Sequence, residues 1–377
     1  MISAVQELGQ HAVIFGERGI GKTSLAYMAM ETFKQVAPAS GLALRIPCSA
    51  DDNFATVWRK LPARLVAQTD VMEDADTLLK LTDRAEDILD QEEVSPELVA
   101  RALNVVSSKV PLLVVIDEFD RIGDWGSTQL FADLIKTLSD DLVRATLVIV
   151  GVADDIDGLM QGHRSVERAL RQISMPRMTE DELSAIVQDG FSTFGRRSGR
   201  PIDVEDSMVH AIVRMSQGFP YFTHLLSGAV GEMAILKREL VIRERLLPEA
   251  LRQALNEVAQ GIKISYTDAV SSSKATAQFD QTLLACALAE VDALGFFAPA
   301  DVRAPLSTLS ERQRDTPSFL HHLKRFTDDP SRVLETRGEG RRMRYRFRNP
   351  LMRPFVIIKG VQDGYLDAPT GRHRRPE

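Results

Sequence analysis

Residues 12–25 read AVIFGERGIGKTSL and place a glycine-rich loop between a short apolar run and an amphipathic segment. From Gly16 to Thr23 the loop fits the spacing G-x-x-x-x-G-K-[ST] at every specified position. Loops of this kind surround phosphate groups with backbone N–H donors, and their glycines permit a close approach that a Cβ atom hinders. The pattern therefore predicts a phosphate-binding loop between a buried strand and a helix.

Several residues of this loop have an individual expected role. Lys22 supplies a mobile positive charge for the β- and γ-phosphate oxygens, and the hydroxyl of Thr23 is a candidate Mg²⁺ ligand. The helix expected to begin near Lys22 directs the positive end of its dipole at the same phosphates. A glycine turn that matches by chance is the alternative, against which the flanking strand and helix patterns argue. The expected nucleotide contacts are Gly16, Glu17, Arg18, Gly19, Ile20, Gly21, Lys22, Thr23 and Ser24.

A second segment, VPLLVVIDEFD, joins a continuous apolar run from Leu112 to Ile116 to two carboxylates. Such a run predicts a strand buried on both faces, and Asp117 and Glu118 follow at its carboxyl end, where open α/β sheets bind ligands. We expect Asp117 to hold Mg²⁺, largely through water, and Glu118 to orient and polarise an attacking water molecule. A solvated acidic turn is the alternative, but a carboxylate beside a buried strand is costly unless a cation or donor meets it.

The remainder of the first 178 residues alternates between strand and helix patterns. The segment LALRIPC from Leu42 to Cys48 predicts a strand, and TLVIVGV, residues 146–152, predicts another that ends near Asp154. Helical patterns lie between them, one of them starting at Ser95 and Pro96. This alternation predicts the α/β class with a doubly wound parallel sheet.

Residues 162–173, GHRSVERALRQI, are expected to form a helix or the approach to one. Arg164 and Arg168 are four residues apart and share a face of such a helix. Either arginine is a candidate finger that reaches the γ-phosphate of a neighbouring subunit. The alternative is a pair of surface arginines that form ion pairs with nearby acidic residues.

The sequence changes character after residue 178. A capping-box start at Thr179 opens a helical region, residues 179–264, which is expected to form a lid domain. The polar, serine-rich residues 265–278 are expected to be a linker. Residues 279–362 show three helical patterns followed by two strands and a turn, which predicts a winged helix-turn-helix. We expect the basic residues 363–377 to be a disordered tail.

The second strand of the predicted hairpin carries arginine at every other position. On a strand the guanidinium groups of Arg342, Arg344, Arg346 and Arg348 share one face, which would bind the phosphates of double-stranded DNA if exposed. Residues 331–377 have 12 Lys and Arg against 5 Asp and Glu, whereas the whole chain has a net charge of −7. Two alternatives to DNA binding therefore remain for these arginines: they form ion pairs with the acidic part of the chain, or they are simply solvated.

Composition excludes several classes of protein. No apolar run reaches the length of about 18 residues that a membrane-spanning helix needs, so we expect a cytoplasmic protein without membrane partners. The two cysteines, Cys48 and Cys286, lie in unrelated surroundings without a C-x-x-C motif, which argues against a disulfide framework or a zinc site.

The segments GERGIGKT and LLVVIDEFD resemble the Walker A and Walker B motifs of the AAA+ class of P-loop ATPases. Nearly the whole chain is similar to the origin-recognition-type and STAND-like ATPases of bacteria and archaea that have a C-terminal winged helix. The further segments that carry this resemblance are TLVIVGVADD, HRSVER, QGFPY and YRFRNPLMRPF. The resemblance implies ATP and Mg²⁺ as cofactors, with ATP hydrolysed to ADP and phosphate.

The resemblance also implies positions for the nucleotide sensors. Asp154 falls nearest to sensor 1, where the family usually has Asn or Thr. The arginine of sensor 2 would fall near Tyr221, where no arginine is present, whereas residues 218–220 match the G-x-P motif of STAND-like proteins and place Pro220 near the nucleotide. Such proteins usually have a segment before the first strand that helps hold adenine. It is almost missing here, so the sequence is N-terminally shortened or adenine is held otherwise.

These departures favour a molecular switch over a motor-like hexamer, with ATP-bound and ADP-bound states that differ in how the winged helix is held. Three functions remain open for the chain. They are a DNA-binding ATPase, a signalling ATPase whose winged helix binds protein or inhibits the ATPase, and a purely structural nucleotide binder. The intact Asp117-Glu118 pair argues against the third. Self-association or an unidentified partner protein is expected with the first two.

Overall fold

A computed structural model describes residues 7–37, 41–69, 74–153, 168–199, 201–271, 278–292, 294–310, 316–330, 332–368 and 372–373 of the 377-residue chain. The chain divides into two compact units. Unit 1 comprises Met1–Glu17 and Gly21–Pro176, and unit 2 comprises Arg18–Ile20 and Arg177–Glu377.

Unit 1 is built on a parallel β-sheet. Over the described residues its five strands have the spatial order β2-β3-β4-β1-β5, and all neighbouring pairs are parallel. The strands are β1 (His11–Gly16), β2 (Leu42–Pro47), β3 (Leu112–Asp117), β4 (Ala145–Val152) and β5 (Leu170–Ser174). Because β4 lies between β1 and β3, the loop after β1 and the acids after β3 meet across one intervening strand.

Helices cover both faces of this sheet, which confirms the predicted α/β class. Ala26, Met30 and Phe33 of the first helix pack on one face, while Trp58 and Phe131 belong to the larger core on the other. The strands β1 to β4 are therefore largely buried on both faces, which explains why β3 has a continuous apolar run. The helices are α1 (Lys22–Val36), α2 (Phe54–Trp58), α3 (Leu61–Val66), α4 (Ala75–Leu89), α5 (Pro96–Ser107) and α6 (Trp125–Asp140).

Unit 2 begins with a mainly helical part, and the predicted capping box is present at its start. Thr179 accepts a hydrogen bond from the N–H of Glu182, whose carboxylate in turn accepts from the N–H of Thr179. The helices of this part are α7 (Glu180–Ser198), α8 (Asp206–Ser216), α9 (Pro220–Lys237), α10 (Leu247–Glu257) and α11 (Gln260–Val270). Two short strands, β6 (Asp203–Val204) and β7 (Val241–Ile242), pair in parallel.

The last part of unit 2 has the predicted order of three helices followed by a hairpin. The helices are α12 (Phe279–Leu288), α13 (Pro299–Leu309) and α14 (Thr316–Thr327), and the antiparallel strands are β8 (Leu334–Arg337) and β9 (Arg344–Phe347). Phe297 adds a bridge to Tyr345. After the hairpin come α15 (Met352–Gln362) and the antiparallel pair β10 (Leu366–Asp367) and β11 (Arg372–His373).

The structure differs from the sequence predictions at three places. Residues 170–174 form the edge strand β5 rather than a helix, because pairing with β1 supplies their backbone hydrogen bonds. Residues 265–270 belong to α11, so the predicted linker began too early. The predicted disordered tail is wrong for Leu366 and Asp367, which pair with Arg372 and His373.

Candidate active site

The loop after β1 has the backbone that the glycine pattern requires. Gly19 and Gly21 have φ values of 85° and 98°, in the left-handed region that residues with a Cβ atom rarely adopt. Gly21 is also the N-cap of α1, so the backbone N–H groups of the first turn point towards the loop. The loop and helix terminus therefore provide the donors that phosphate binding needs.

Lys22 is nearly buried at 8% exposure and its ammonium group lies against the loop itself. Nζ donates to the main-chain oxygens of Gly16 at 3.0 Å and Glu17 at 2.6 Å. The charge is held beside the loop by groups that a phosphate oxygen can replace. Of the other predicted contacts, Ile20 is buried, whereas Arg18 and Ser24 are exposed.

Thr23 and Asp117 lie side by side, although 94 positions separate them in the sequence. The hydroxyl Oγ1 of Thr23 donates to the carboxylate of Asp117, at 3.1 Å to Oδ2 and 3.3 Å to Oδ1. The topology brings them together because α1 and the end of β3 meet at the carboxyl edge of the sheet. Their expected shared role in binding Mg²⁺ stays a prediction.

These two side chains fit a magnesium ion chemically. A hydroxyl and a carboxylate are hard oxygen ligands, and Mg²⁺ usually keeps its other positions for phosphate oxygens and water. Among the described residues, no group of three or more His, Cys, Asp or Glu side chains is arranged to hold a metal on its own.

Asp117 has a partner that sequence reasoning missed. Arg45 of β2 donates to Oδ2 of Asp117 from Nε at 2.8 Å and from Nη2 at 2.7 Å. Partial burial acts to lower the pKa of Arg45, but the hydrogen bond and charge of Asp117 outweigh it and raise that pKa. The only signal in the sequence was a charged residue inside an otherwise apolar strand.

Glu118 has an unusual backbone and is held by a near neighbour. Its φ of 56° and ψ of 37° lie in the left-handed region, which costs on the order of 1 kcal/mol or more for a residue with a side chain. Nη1 of Arg121 donates to Oε2 of Glu118 at 2.9 Å, and both side chains are about half exposed. The N–H of Glu118 donates to Oδ1 of Asp117 at 2.9 Å, which links the two acidic residues.

Asp120 is a further residue of the acidic segment with a clear structural role. Its Oδ1 accepts a hydrogen bond from the N–H of Val152 at 2.7 Å. This bond ties the turn after β3 to the end of β4.

The other predicted site residues do not join this group. Asp154 and Arg164 lie outside the described residues. Arg168 precedes β5, at the edge of the sheet opposite to the loop, and its main-chain oxygen accepts from Nε2 of Gln10. Pro220 is the first residue of α9 in unit 2. Whether either arginine is a finger, and whether Asp154 and Pro220 contact nucleotide, stay predictions.

The arginine row of the hairpin is less uniform than predicted. Arg342, Arg344 and Arg348 are exposed, whereas Arg346 is half-buried, forms an ion pair with Glu335 and lies 4.6 Å from the ring of Phe296. The exposure on which the predicted phosphate contact depends is therefore present at Arg342, Arg344 and Arg348 and only partial at Arg346. Arg342 belongs to a short helical turn before β9 and not to the strand.

Comparison with known proteins agrees with this geometry. Residues 6–160 match the family model of the AAA domain. The Walker-type ATPase PABY2304 of Pyrococcus abyssi matches with a TM-score of 0.54 at 14% identity, over 94% of this chain and 93% of that chain. At this identity the likeness shows a shared fold. No curated protein matches the sequence significantly.

Two further solved structures align over most of the chain with lower scores. The ORC2 protein of Aeropyrum pernix, in ADPNP and ADP complexes, has a TM-score of 0.48 at 16% identity, over 96% of this chain and 90% of that chain. The RuvB Holliday junction branch migration motor of Thermotoga maritima has a TM-score of 0.45 at 15% identity, over 92% and 88%. The described residues include no helix long and apolar enough to cross a membrane. With its parallel sheet and phosphate loop, the region of residues 6–160 has a P-loop NTPase fold and is similar to the AAA domain.

Proposed function

We propose that this chain is an ATP-hydrolysing molecular switch, in which unit 1 binds Mg²⁺-ATP and unit 2 passes on the nucleotide state. The observation that carries the proposal is the contact between Thr23 and Asp117 at 3.1 Å. It brings the phosphate loop and the acidic segment to a single place, as one metal-bound triphosphate requires.

On nucleotide binding, hydrogen bonds within the loop would be replaced by hydrogen bonds to phosphate oxygens. Lys22 leaves the main-chain oxygens of Gly16 and Glu17 for the β- and γ-phosphate oxygens. The amides of the loop and of the first turn of α1 donate to the same phosphates. The proposed nucleotide contacts also include Asp154 and Pro220, through the resemblance to sensor 1 and to the G-x-P motif. Bound Mg²⁺ neutralises phosphate charge, and Thr23 and Asp117 would hold it.

Glu118 is the proposed general base. Its carboxylate accepts a proton from the water that attacks the γ-phosphorus, while the bond to the bridging oxygen of ADP breaks and that oxygen keeps the electron pair. The ion pair with Arg121 must loosen before Glu118 can reach this water. We expect slow hydrolysis without a second subunit, because an arginine finger contributes roughly 10³ to 10⁵ in rate. Arg164 and Arg168 are the candidates.

For the output, we propose that residues 279–362 form a winged helix that binds double-stranded DNA. Support comes from the order of three helices and a hairpin, and from the exposed Arg342, Arg344 and Arg348. The described exposed side chains of α14, namely Ser318, Leu320, His321 and Lys324, include a single group of the types that recognise bases bidentately, Lys324, and no Arg, Asn or Gln. We therefore expect contact mainly with the DNA backbone and little sequence preference.

One observation favours a signalling ATPase whose winged helix binds protein or inhibits the ATPase. Arg346, the second of the two arginines in β9, is already paired within unit 2 with Glu335 and Phe296. Part of the basic surface is therefore used inside the protein, and the remaining arginines are fewer than the sequence predicted.

The switch is tested by measuring particle mass and DNA binding on one sample with ATP, with ADP and without nucleotide. A DNA-binding switch changes duplex affinity between ATP and ADP, and a signalling switch changes mass while ignoring DNA. The triple variant R342A/R344A/R348A should weaken duplex binding and reduce the slope of log K against log salt by about 2.7, since each phosphate contact contributes about 0.9.

The charge-matched control is R64A/R84A/R101A, which removes three exposed arginines from helices of unit 1. It should leave the slope unchanged. If neither mass nor duplex affinity differs among the three nucleotide states, the proposed switch is wrong.

A further inference from the structure

Arg45 interrupts one of the most deeply buried strands of unit 1. Leu42, Ala43, Leu44 and Ile46, its neighbours in β2, are at most 3% exposed. The side chain of Arg45 is 28% exposed, and its guanidinium group reaches the end of β3 and binds Asp117. A positively charged side chain in such a strand lowers the stability of the fold unless an acceptor or an anion pairs with it, and Asp117 is the anion that pairs with Arg45.

The carboxylate of Asp117 is almost fully occupied by groups of the chain itself. Oδ2 accepts from Nε and Nη2 of Arg45 and from the hydroxyl of Thr23, while Oδ1 accepts from the N–H of Glu118. Asp117 is only 1% exposed, so water cannot solvate the charge of its carboxylate. Oδ2, which Arg45 holds, is also the oxygen nearer to the hydroxyl of Thr23, the other candidate Mg²⁺ ligand.

Arg45 also has a second contact available on the first helix. Its Cζ lies 5.6 Å from the ring centroid of Tyr27, one turn after Thr23 in α1, and this ring is about half exposed. A guanidinium group stacked on an aromatic ring is stabilised without a carboxylate partner. Arg45 can therefore release Asp117 while keeping a favourable neighbour.

We propose that Arg45 is a positioning residue that holds Oδ2 of Asp117 as an internal counter-ion and is displaced when a Mg²⁺-nucleotide binds. Two cations compete for one buried oxygen, so the ion pair raises the Mg²⁺ concentration needed for nucleotide binding. The ion pair also balances the negative charge of Asp117 and fixes the orientation of its carboxylate when the site holds no metal. This inference rests on the proposed function, since it concerns the same nucleotide site.

The test titrates Mg²⁺ into the full chain mixed with a fluorescent ATP analogue and measures the half-saturating Mg²⁺ concentration for nucleotide binding. Arg45→Gln removes the competing charge, so the half-saturating concentration should fall roughly tenfold, the lower end of what hydrogen bonds to a charged group contribute. Arg45→Lys keeps the charge with a single contact and should give an intermediate value. Arg84→Gln, at an exposed position of α4, makes the same charge change and should give the wild-type value.

The outcomes separate this inference from the function on which it rests. Failure of the wild type to bind the analogue at saturating Mg²⁺ defeats the proposed function itself. If the wild type binds but Arg45→Gln and Arg84→Gln have the same half-saturating concentration, Arg45 is a structural partner only and the inference is overturned. Should Arg45→Gln fail to fold, Arg45→Lys decides, and a value equal to that of the wild type overturns the inference.

Discussion

His11 makes the stability of unit 1 depend on pH. The side chain is completely buried at the start of β1, and its Nδ1 accepts a hydrogen bond from the N–H of Leu147 at 3.0 Å. Within the part of the chain that the structure describes, Nε2 of His11 has no hydrogen-bond partner. Burial lowers the pKa of His11 from 6.5 to about 4, because the imidazolium form loses its hydration without gaining a counter-charge.

The sign and size of the effect follow from this pKa. The unfolded chain binds a proton at His11 near pH 6.5 and the folded chain only near pH 4, so the contribution of His11 is fully present above pH 6.5 and lost as the pH falls towards 4. The whole shift corresponds to about 3 kcal/mol, at about 1.4 kcal/mol per pKa unit. Between pH 8 and pH 5.5 the expected loss is about 1.4 kcal/mol.

Denaturant unfolding at several pH values checks this prediction. The chain has two tryptophans, Trp58 and Trp125, and both lie in unit 1, so their fluorescence reports the unfolding of that unit. His11→Asn retains an acceptor for the N–H of Leu147 but does not titrate. It should lower the free energy of unfolding at pH 8 and lose about 1.4 kcal/mol less than the wild type between pH 8 and pH 5.5.

His210→Asn is the matched control, since His210 is exposed on α8. This variant should keep the pH dependence of the wild type. Equal losses of stability in His11→Asn and in the wild type between pH 8 and pH 5.5 would refute the reasoning, because the titrating group would then lie elsewhere.

Two further predictions concern ion pairs of the site and the hairpin. Arg121→Ala should raise basal ATP turnover, at most about fivefold, because the exposed ion pair that holds Glu118 is weak and its loss frees this carboxylate. A phosphate-release assay that shows equal or slower turnover contradicts this prediction. Glu335→Gln should release Arg346 and steepen the salt dependence of duplex binding by about 0.9, as one added phosphate contact would. Fluorescence anisotropy at several salt concentrations measures the slope, and an unchanged slope contradicts the prediction.

The parts of the site that the sequence predicted are those specified by neighbouring residues. The glycines before Lys22 and the apolar run before Asp117 are local patterns with a direct structural consequence. The contact of Thr23 with Asp117 was expected only through the general rule that ligands bind at the carboxyl edge of such sheets.

The missed features depend on contacts between distant segments. Arg45 meets Asp117 only because β2 and β3 are neighbours, and no local pattern specifies the strand order. The strand β5 has three polar residues among five and reads as a helix until its pairing with β1 is known. In the hairpin, Glu335 lies opposite Arg346 in the register of β8 and β9. The two side chains form an ion pair, so Arg346 is less available for phosphate contact than the sequence alone indicates.

The central claim is that one Mg²⁺-ATP is held by the loop and hydrolysed by the acidic segment. The most direct measurement is the identity of the nucleotide that stays bound after incubation with Mg²⁺-ATP and removal of free nucleotide. Wild type should retain ADP, Glu118→Gln should retain ATP, and Lys22→Ala should retain none. ADP on Glu118→Gln in the wild-type amount, or nucleotide retained by Lys22→Ala, would contradict the account.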